Sequence, residues 1–284
     1  MRALRAVTVV VAVVVLGWLV CPRPPGLHTV NPDILLSRAI SASDHAAYSA
    51  QFTAERNWFG QPAKSPSGMG LDCYGSVSTP GPWTLRCIGL LRRNYTPLVD
   101  GEDVIAGRPV WVLRLKPHSK HMPWRQLWID KKTYVALAQR DWSARNEVKC
   151  STTTTDITYG KPAGGPRLKP ESTRGNLRTQ IARAAEALGG TLILPGFVPR
   201  GFELLSVDVD KKGVSVQIVY TDGMYGISVI EGREAETAGR ELRPGRVYDW
   251  GQGMIVCRRV GGKRVLLVAD LPVADMEKMA SSLR

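Results

Sequence analysis

Hydrophobic positions cluster between Gly107 and Trp142 in three runs of strand-forming residues, Val110–Leu115, Trp124–Ile129 and Thr133–Trp142, separated by a polar loop and a two-lysine turn after Asp130. Strand-forming runs punctuated in this way predict an antiparallel meander. Upstream, Asn31–Pro32 reads as an N-cap followed by a first-turn proline, opening a helix to about Ala42 with Leu35, Leu36, Ala39 and Ile40 on its apolar face. From Ala46 to Glu55 the period changes to two, with Tyr48, Ala50, Phe52 and Ala54 on one face, which predicts a half-buried strand. Gly60–Gly70 is rich in Pro, Ser and Gly and reads as a loop, as does Asp100–Gly101. The threonine-rich run Val148–Tyr159 predicts a closing strand.

Gly160–Gly175 has no periodicity and contains Gly164–Gly165–Pro166, so it reads as a linker. A helix is predicted from Asn176 to Leu188, with Leu177, Ile181, Ala184 and Leu188 in one stripe and Gly189–Gly190 as its stop. Five strands follow, at Phe202–Val209, Val214–Tyr220, Gly226–Ile230, Met254–Arg259 and Val265–Ala269. Glycine-containing turns at Lys211–Gly213 and Gly261–Lys263 join the outer pairs. Asp270 is expected to cap a last helix carrying Met276, Met279 and Leu283. The pattern divides the chain into an N-terminal segment (1–27), a helix-plus-antiparallel-sheet domain (28–160), a linker (161–175) and a second α+β domain (176–284).

Composition and charge narrow the setting. At 284 residues, 44% hydrophobic and 22% charged, the chain has enough apolar material for two cores. The formal charge of +13 favours an acidic partner: nucleic acid, anionic lipid or an acidic protein surface. Two arginines in Met1–Arg5, followed by the uncharged apolar run Ala6–Cys21, have the shape of an export signal. The length of that run does not decide between a cleaved signal and a membrane anchor. Either way the bulk of the chain is expected outside the cytoplasm, periplasmic or tethered to the inner membrane, and nucleic acid is not an expected partner.

The cysteines beyond that run are Cys73, Cys87, Cys150 and Cys257, an even number suited to an oxidising compartment. Cys73 and Cys87 flank Thr79–Pro82 almost symmetrically. A bridge across such a hairpin, closing roughly 15 residues, would contribute about 3 kcal/mol. Cys150 and Cys257 remain as the second pair by elimination. No metal or cofactor is expected: His118 and His121 have no further ligands beside them, and no nucleophile, base and orienting group can be assembled. The protein therefore reads as a binding protein rather than an enzyme.

Two separated stretches resemble one family. Tyr95 leading to Asp100–Gly101, then Ala106–Gly107–Arg108 and Leu127–Trp128–Ile129–Asp130, is similar to the N-terminal domain of MucB/RseB proteins. Leu194–Pro195–Gly196–Phe197 and Tyr220–Thr221–Asp222–Gly223, leading into Ile227–Ile230, is similar to their C-terminal domain. The resemblance implies a periplasmic regulator in the envelope stress response, which binds the extracytoplasmic part of a membrane anti-sigma factor and responds to lipoproteins or lipopolysaccharide. It also implies an N-terminal LolA/LolB-like fold: an open, curved antiparallel half-barrel with helices on its concave side, followed by a small α+β domain. A lipoprotein or lipid carrier without a signalling role is the alternative.

In Val110–Leu115 both faces are apolar, which a sheet with one solvated face would not show. One account is a helix on one side and a neighbouring domain on the other. The other is an acyl-chain cavity with Trp111, Leu113, Trp124 and Leu127 among its walls, although Trp124 and Leu127 alternate onto opposite faces. Arg108, Arg114, Lys116, Arg125, Lys131 and Lys132 cluster on the same meander. They form either a solvated face or a contact with anionic lipid or an acidic segment, worth about 1 kcal/mol per cation near an anionic membrane.

Overall fold

The computed structural model describes residues 30–45, 48–58, 61–66, 70–71, 77–78, 88–120, 122–143, 146–160, 176–210, 213–233, 235, 242–249 and 253–284. The expected N-terminal segment, the Cys73–Cys87 pairing and the 161–175 linker lie outside these residues. Helix α1, Pro32–His45, is followed by β1, Tyr48–Trp58, and β2, Gln61–Pro66. The short strands β3, Gly70–Leu71, and β4, Val77–Ser78, pair with each other. Helix α2, Ile88–Asn94, leads into β5, Tyr95–Ile105, and then β6, Arg108–Pro117, β7, Trp124–Asp130, β8, Ala136–Trp142, and β9, Val148–Tyr159. Seven of these strands form one antiparallel sheet in the order β2-β1-β9-β8-β7-β6-β5, open at both edges.

The predicted meander is β6, β7 and β8, in sequence order and adjacent in the sheet. Register breaks at Gln51/Phe52, Val99/Gly101, Trp128/Ile129 and Asp141/Trp142 add residues to individual strands, which bends and twists the sheet away from flatness. Two expected loops are corrected here. Asp100–Gly101 is one of these bulges, inside a continuous β5. Gln61–Pro66, within the expected Gly60–Gly70 loop, is an edge strand, where Pro62 and Pro66 oppose Asn57 and Thr53 of β1. Proline is tolerated there because an edge strand need not donate on its outer side.

The second sheet contains β10, Glu203–Val209, β11, Ser215–Thr221, β12, Gly226–Gly232, β13, Val247–Asp249, β14, Met254–Val260, and β15, Lys263–Ala269, in the order β10-β11-β12-β15-β14-β13. The three-residue β13 is an addition to the five strands expected. Helix α3, Leu177–Ala187, begins where the sequence indicated, with the Asn176 side chain accepting from the Thr179 amide. Helix α4, Val273–Ser281, is capped at Pro272 and not at Asp270, which instead forms an ion pair with Lys149 of β9. Gly261 and Gly262 both take positive φ in the β14–β15 turn, the requirement of the tightest hairpin connection. The core joins Val216, Ile218, Ile227, Val229 and Leu267 of the sheet to Ala184 of α3 and to Met276, Met279 and Ala280 of α4. Each large side chain buried here stabilises by about 1.5–3 kcal/mol relative to exposure. The chain is thus α+β, an open antiparallel sheet with helices followed by a smaller α+β sheet, and Pro32–Arg284 is one compact unit.

One buried group works against this core. Glu231 of β12 is almost fully buried; one carboxyl oxygen accepts from the Ile193 amide at 2.8 Å and the other has no hydrogen-bond partner. Burial pushes its pKa from 4.5 up to about 7, against the opposing effects of the Ile193 hydrogen bond and the charge of Lys263. Between these values the folded state binds more protons than the unfolded chain, so stability must fall as pH rises through that window. Denaturant unfolding should show a loss approaching about 3 kcal/mol between pH 4.5 and pH 8, and the Glu231→Gln variant should lack that component. Parallel pH profiles for the two proteins would rule out this account.

Candidate functional site

The two sheets meet at a polar contact built around a turn in the second. Between β11 and β12, Asp222 accepts from the backbone amides of Met224, at 2.9 Å, and Tyr225, at 2.7 Å, an aspartate-centred turn. Its other carboxyl oxygen accepts from the Tyr95 hydroxyl at 2.5 Å. Asn94 donates to the carbonyls of Gly201 and Asp222, at 2.9 and 2.8 Å. Burial raises the Asp222 pKa despite the hydrogen bonds from Tyr95 and the two amides. Burial, reinforced by the neighbouring carboxylate, pushes the Tyr95 phenol far above its ordinary value, so Tyr95 stays protonated as the donor.

Gly223 brings the turn against α2. A Cβ at this position would lie 2.3 Å from the Leu91 backbone nitrogen and 2.7 Å from its Cα, and the residue has φ +102°. Only glycine meets both conditions. Beside it, the Tyr225 hydroxyl donates to the Trp124 carbonyl at 3.1 Å, and its ring faces the Arg125 guanidinium at 5.7 Å. Arg125 is buried and makes a two-point contact with Asp141, its cross-strand neighbour on β8. Burial alone would lower the Arg125 pKa, but the charge and hydrogen bonds of Asp141 more than reverse this. At the margin, Arg93 pairs with Glu203 at 2.6 Å. A cavity of about 240 Å³ opens at the joint, lined by Arg93, Asn94, Tyr95, Pro117, His118, Ser119, Met122, Arg200 and Asp222.

The register separates the expected cavity walls. Trp111, Leu113 and Leu127 share one face of β6 and β7, where Leu113 opposes Leu127. Trp124 lies on the other face, stacked on Trp142 at 4.8 Å and donating to Asn146. Leu113 and Leu127 are 0% and 1% exposed, and Val110 and Leu115 are also fully buried, so both faces of β6 are covered. Trp111 is half-buried, stacked on Tyr134, with Lys131 over its outer face.

The cationic set divides as well. Arg108 pairs with Asp130, Arg114 with Asp100, Arg125 with Asp141 and Lys131 with Glu102. Lys116 and Lys132 are exposed. The alternating pattern showed the cations but not the carboxylates that register places opposite or beside them.

The bridge expected between Cys150 and Cys257 does not form. Cys150 lies on β9 opposite Asp141, whereas Cys257 is buried on β14 with Ala235 and Leu266. The ring nitrogens of His118 contact the Arg93 carbonyl and the Thr96 hydroxyl, each at 2.9 Å. No group of His, Cys, Asp and Glu suited to a metal occurs among the described residues. Nor is any helix among them long and apolar enough to cross a membrane.

Tyr95, Asp222 and Gly223 entered the sequence reading only as parts of the family resemblance. Their signal was the Thr221–Asp222–Gly223 triplet, a turn signature whose partner 127 residues away no local pattern reveals.

Two open sheets joined through a buried tyrosine–aspartate contact define a two-sheet α+β fold. That fold is the fold of MucB. A crystal structure of MucB in complex with MucA(peri) superposes with a TM-score of 0.59 at 18% sequence identity, covering 89% of this chain and 98% of the other. The Pseudomonas aeruginosa MucA/MucB complex gives 0.59 at 18% identity over 90% and 99% of the two chains. A crystal structure of MucB gives 0.55 at 17% identity over 90% and 98% of the two chains. No protein-family model and no curated protein matches the sequence.

Proposed function

We infer that the protein is an extracytoplasmic, non-enzymatic binding protein of the MucB type, which holds the exported part of a membrane anti-sigma factor and thereby regulates it. The observation carrying this reading is the extent of the structural match: it spans both sheets and nearly the whole of a protein crystallised with MucA(peri). The export-like N-terminus and the formal charge of +13 support the same setting and an acidic partner. The two stretches of sequence resemblance meet at the Tyr95–Asp222 contact, so they belong to one structural feature. Response to lipidated ligands belongs to the same proposal, with Trp111 as the half-buried member of the three expected wall residues that share one face. Leu113 and Leu127 would open to an acyl chain only if the packing around them moved.

The test is capture of the purified exported segment of an anti-sigma factor encoded beside this protein. Specific binding with a Kd of about 1 µM or tighter, equivalent to roughly 8 kcal/mol, is expected. Failure to bind in both lipid-loaded and lipid-free forms sinks the regulatory reading.

A further inference from the structure

The cavity at the joint has a composition that the scaffold's own bonds do not exhaust. Its lining includes Arg93 of α2 and His118 just after β6 on one side of the joint, and Arg200 just ahead of β10 on the other. His118 is occupied by the Arg93 carbonyl and the Thr96 hydroxyl, and Asn94 spends its amide on Gly201 and Asp222. The Asp222 carboxyl is turned to Tyr95 and two backbone amides, so the acidic member of the lining is already satisfied. Arg200 is exposed at the rim, and no carboxylate among the described residues pairs with it. The cavity therefore presents at its rim a guanidinium that no carboxylate among the described residues pairs with.

Size selects the occupant. At about 240 Å³ the space is below the roughly 300–1,000 Å³ of sites that enclose a whole small molecule. One side chain fits. Pro117 and Met122 supply apolar surface for a methylene stem, and the guanidinium of Arg200 supplies charge-assisted donors for a carboxylate at its end.

We propose that this cavity receives an acidic side chain from the protein partner, with Arg200 as its cationic contact and Pro117 and Met122 against its stem. The assignment rests on the partner-binding reading above and adds a location to it. Because Arg93 lies in α2, which leads into the first sheet, and Arg200 lies just ahead of β10 of the second, an occupant here touches both sides and ties partner binding to the joint.

The full chain would be titrated with N-acetylglutamate amide, N-acetylglutamine amide and inorganic phosphate while the Arg200 side chain and His118 ring are followed by NMR. The blocked glutamate should shift these resonances saturably in the wild type and not in Arg200→Ala. A response to glutamine equal to that of glutamate, a response to phosphate alone, or no response overturns the assignment. In the capture assay, Arg200→Glu should weaken binding about ten-fold while thermal unfolding stays unchanged, and Arg200→Lys should keep most of the affinity. Wild-type capture with no loss in Arg200→Glu removes the cavity assignment and leaves the partner reading standing. Absence of wild-type capture removes both.

Discussion

Replacing Gly223 by alanine should lower the stability of the protein by about 2–6 kcal/mol, combining roughly 1–3 for overpacking and 1–3 for backbone strain. The added methyl would sit 2.3 Å from the Leu91 nitrogen, a backbone atom that cannot turn away as a side chain could. Either α2 or the Asp222 turn must move, and both hold the Tyr95–Asp222 hydrogen bond. At roughly 2–4 °C per kcal/mol for a chain of this size, thermal unfolding should drop by on the order of 10 °C. Gly226→Ala is the matched control at the start of the next strand: its nearest neighbour is the Tyr220 carbonyl oxygen at 3.8 Å. That change should cost less than about 1 kcal/mol. Equal behaviour of the two variants would show that the turn is not clamped against α2.

The second large effect is expected at the buried ion pair. Asp141→Ala removes the carboxylate that neutralises Arg125 and leaves a buried guanidinium, its side chain 9% exposed, facing Tyr225. Breaking one side of such a pair costs about 3–5 kcal/mol, because the desolvated charge remains. The double variant Arg125→Met, Asp141→Leu should recover much of that loss, since apolar residues of similar size pay no desolvation penalty. Denaturant unfolding of the single and double variants decides the matter. A double variant as unstable as Asp141→Ala would mean that the residues contribute through packing against Tyr225 rather than through charge.

These two positions also show how the site is organised. Gly223 sets the approach of the second sheet to α2, and Arg125 presents a fixed cation–aromatic contact to Tyr225 at the same joint. Arg93 with Glu203 and Lys149 with Asp270 add ion pairs across the boundary between the sheets. Exposed pairs such as Arg93–Glu203 contribute little, about 0–1 kcal/mol. The buried tyrosine, aspartate and glycine therefore carry the specificity of the joint, and the marginal pairs tune it.

Much of the secondary structure was legible along the chain because its signals are local. The strand-forming runs Val110–Leu115 and Trp124–Ile129, the Asn176 cap, and the apolar stripe of α3, apart from its exposed first member Leu177, all reappear with nearly the expected bounds. The misreadings fell where local chemistry is ambiguous. Gln61–Pro66 is strand because β1 supplies a partner to its inner edge, and Asp100–Gly101 is a bulge because β6 continues alongside it. Proline, serine and glycine content gave no sign of either, since a neighbouring strand overrides loop propensity only after the chain has folded.

What the sequence determined by itself was the alternation that makes two antiparallel sheets, the turn chemistry of Asp222–Gly223, and the surplus of positive charge. Each depends on residues a few positions apart. The tertiary structure decided register, and register decided the rest. It set Trp124 on the opposite face from Trp111, Leu113 and Leu127, put Asp141 beside Arg125, and spent four of the six cations expected at an anionic surface on internal carboxylates. It also brought Tyr95 to Asp222 across 127 residues and left Arg200 at the rim of the cavity between them. A one-residue slip in any strand would exchange its faces, so no pattern read along a single strand can say which side chains meet.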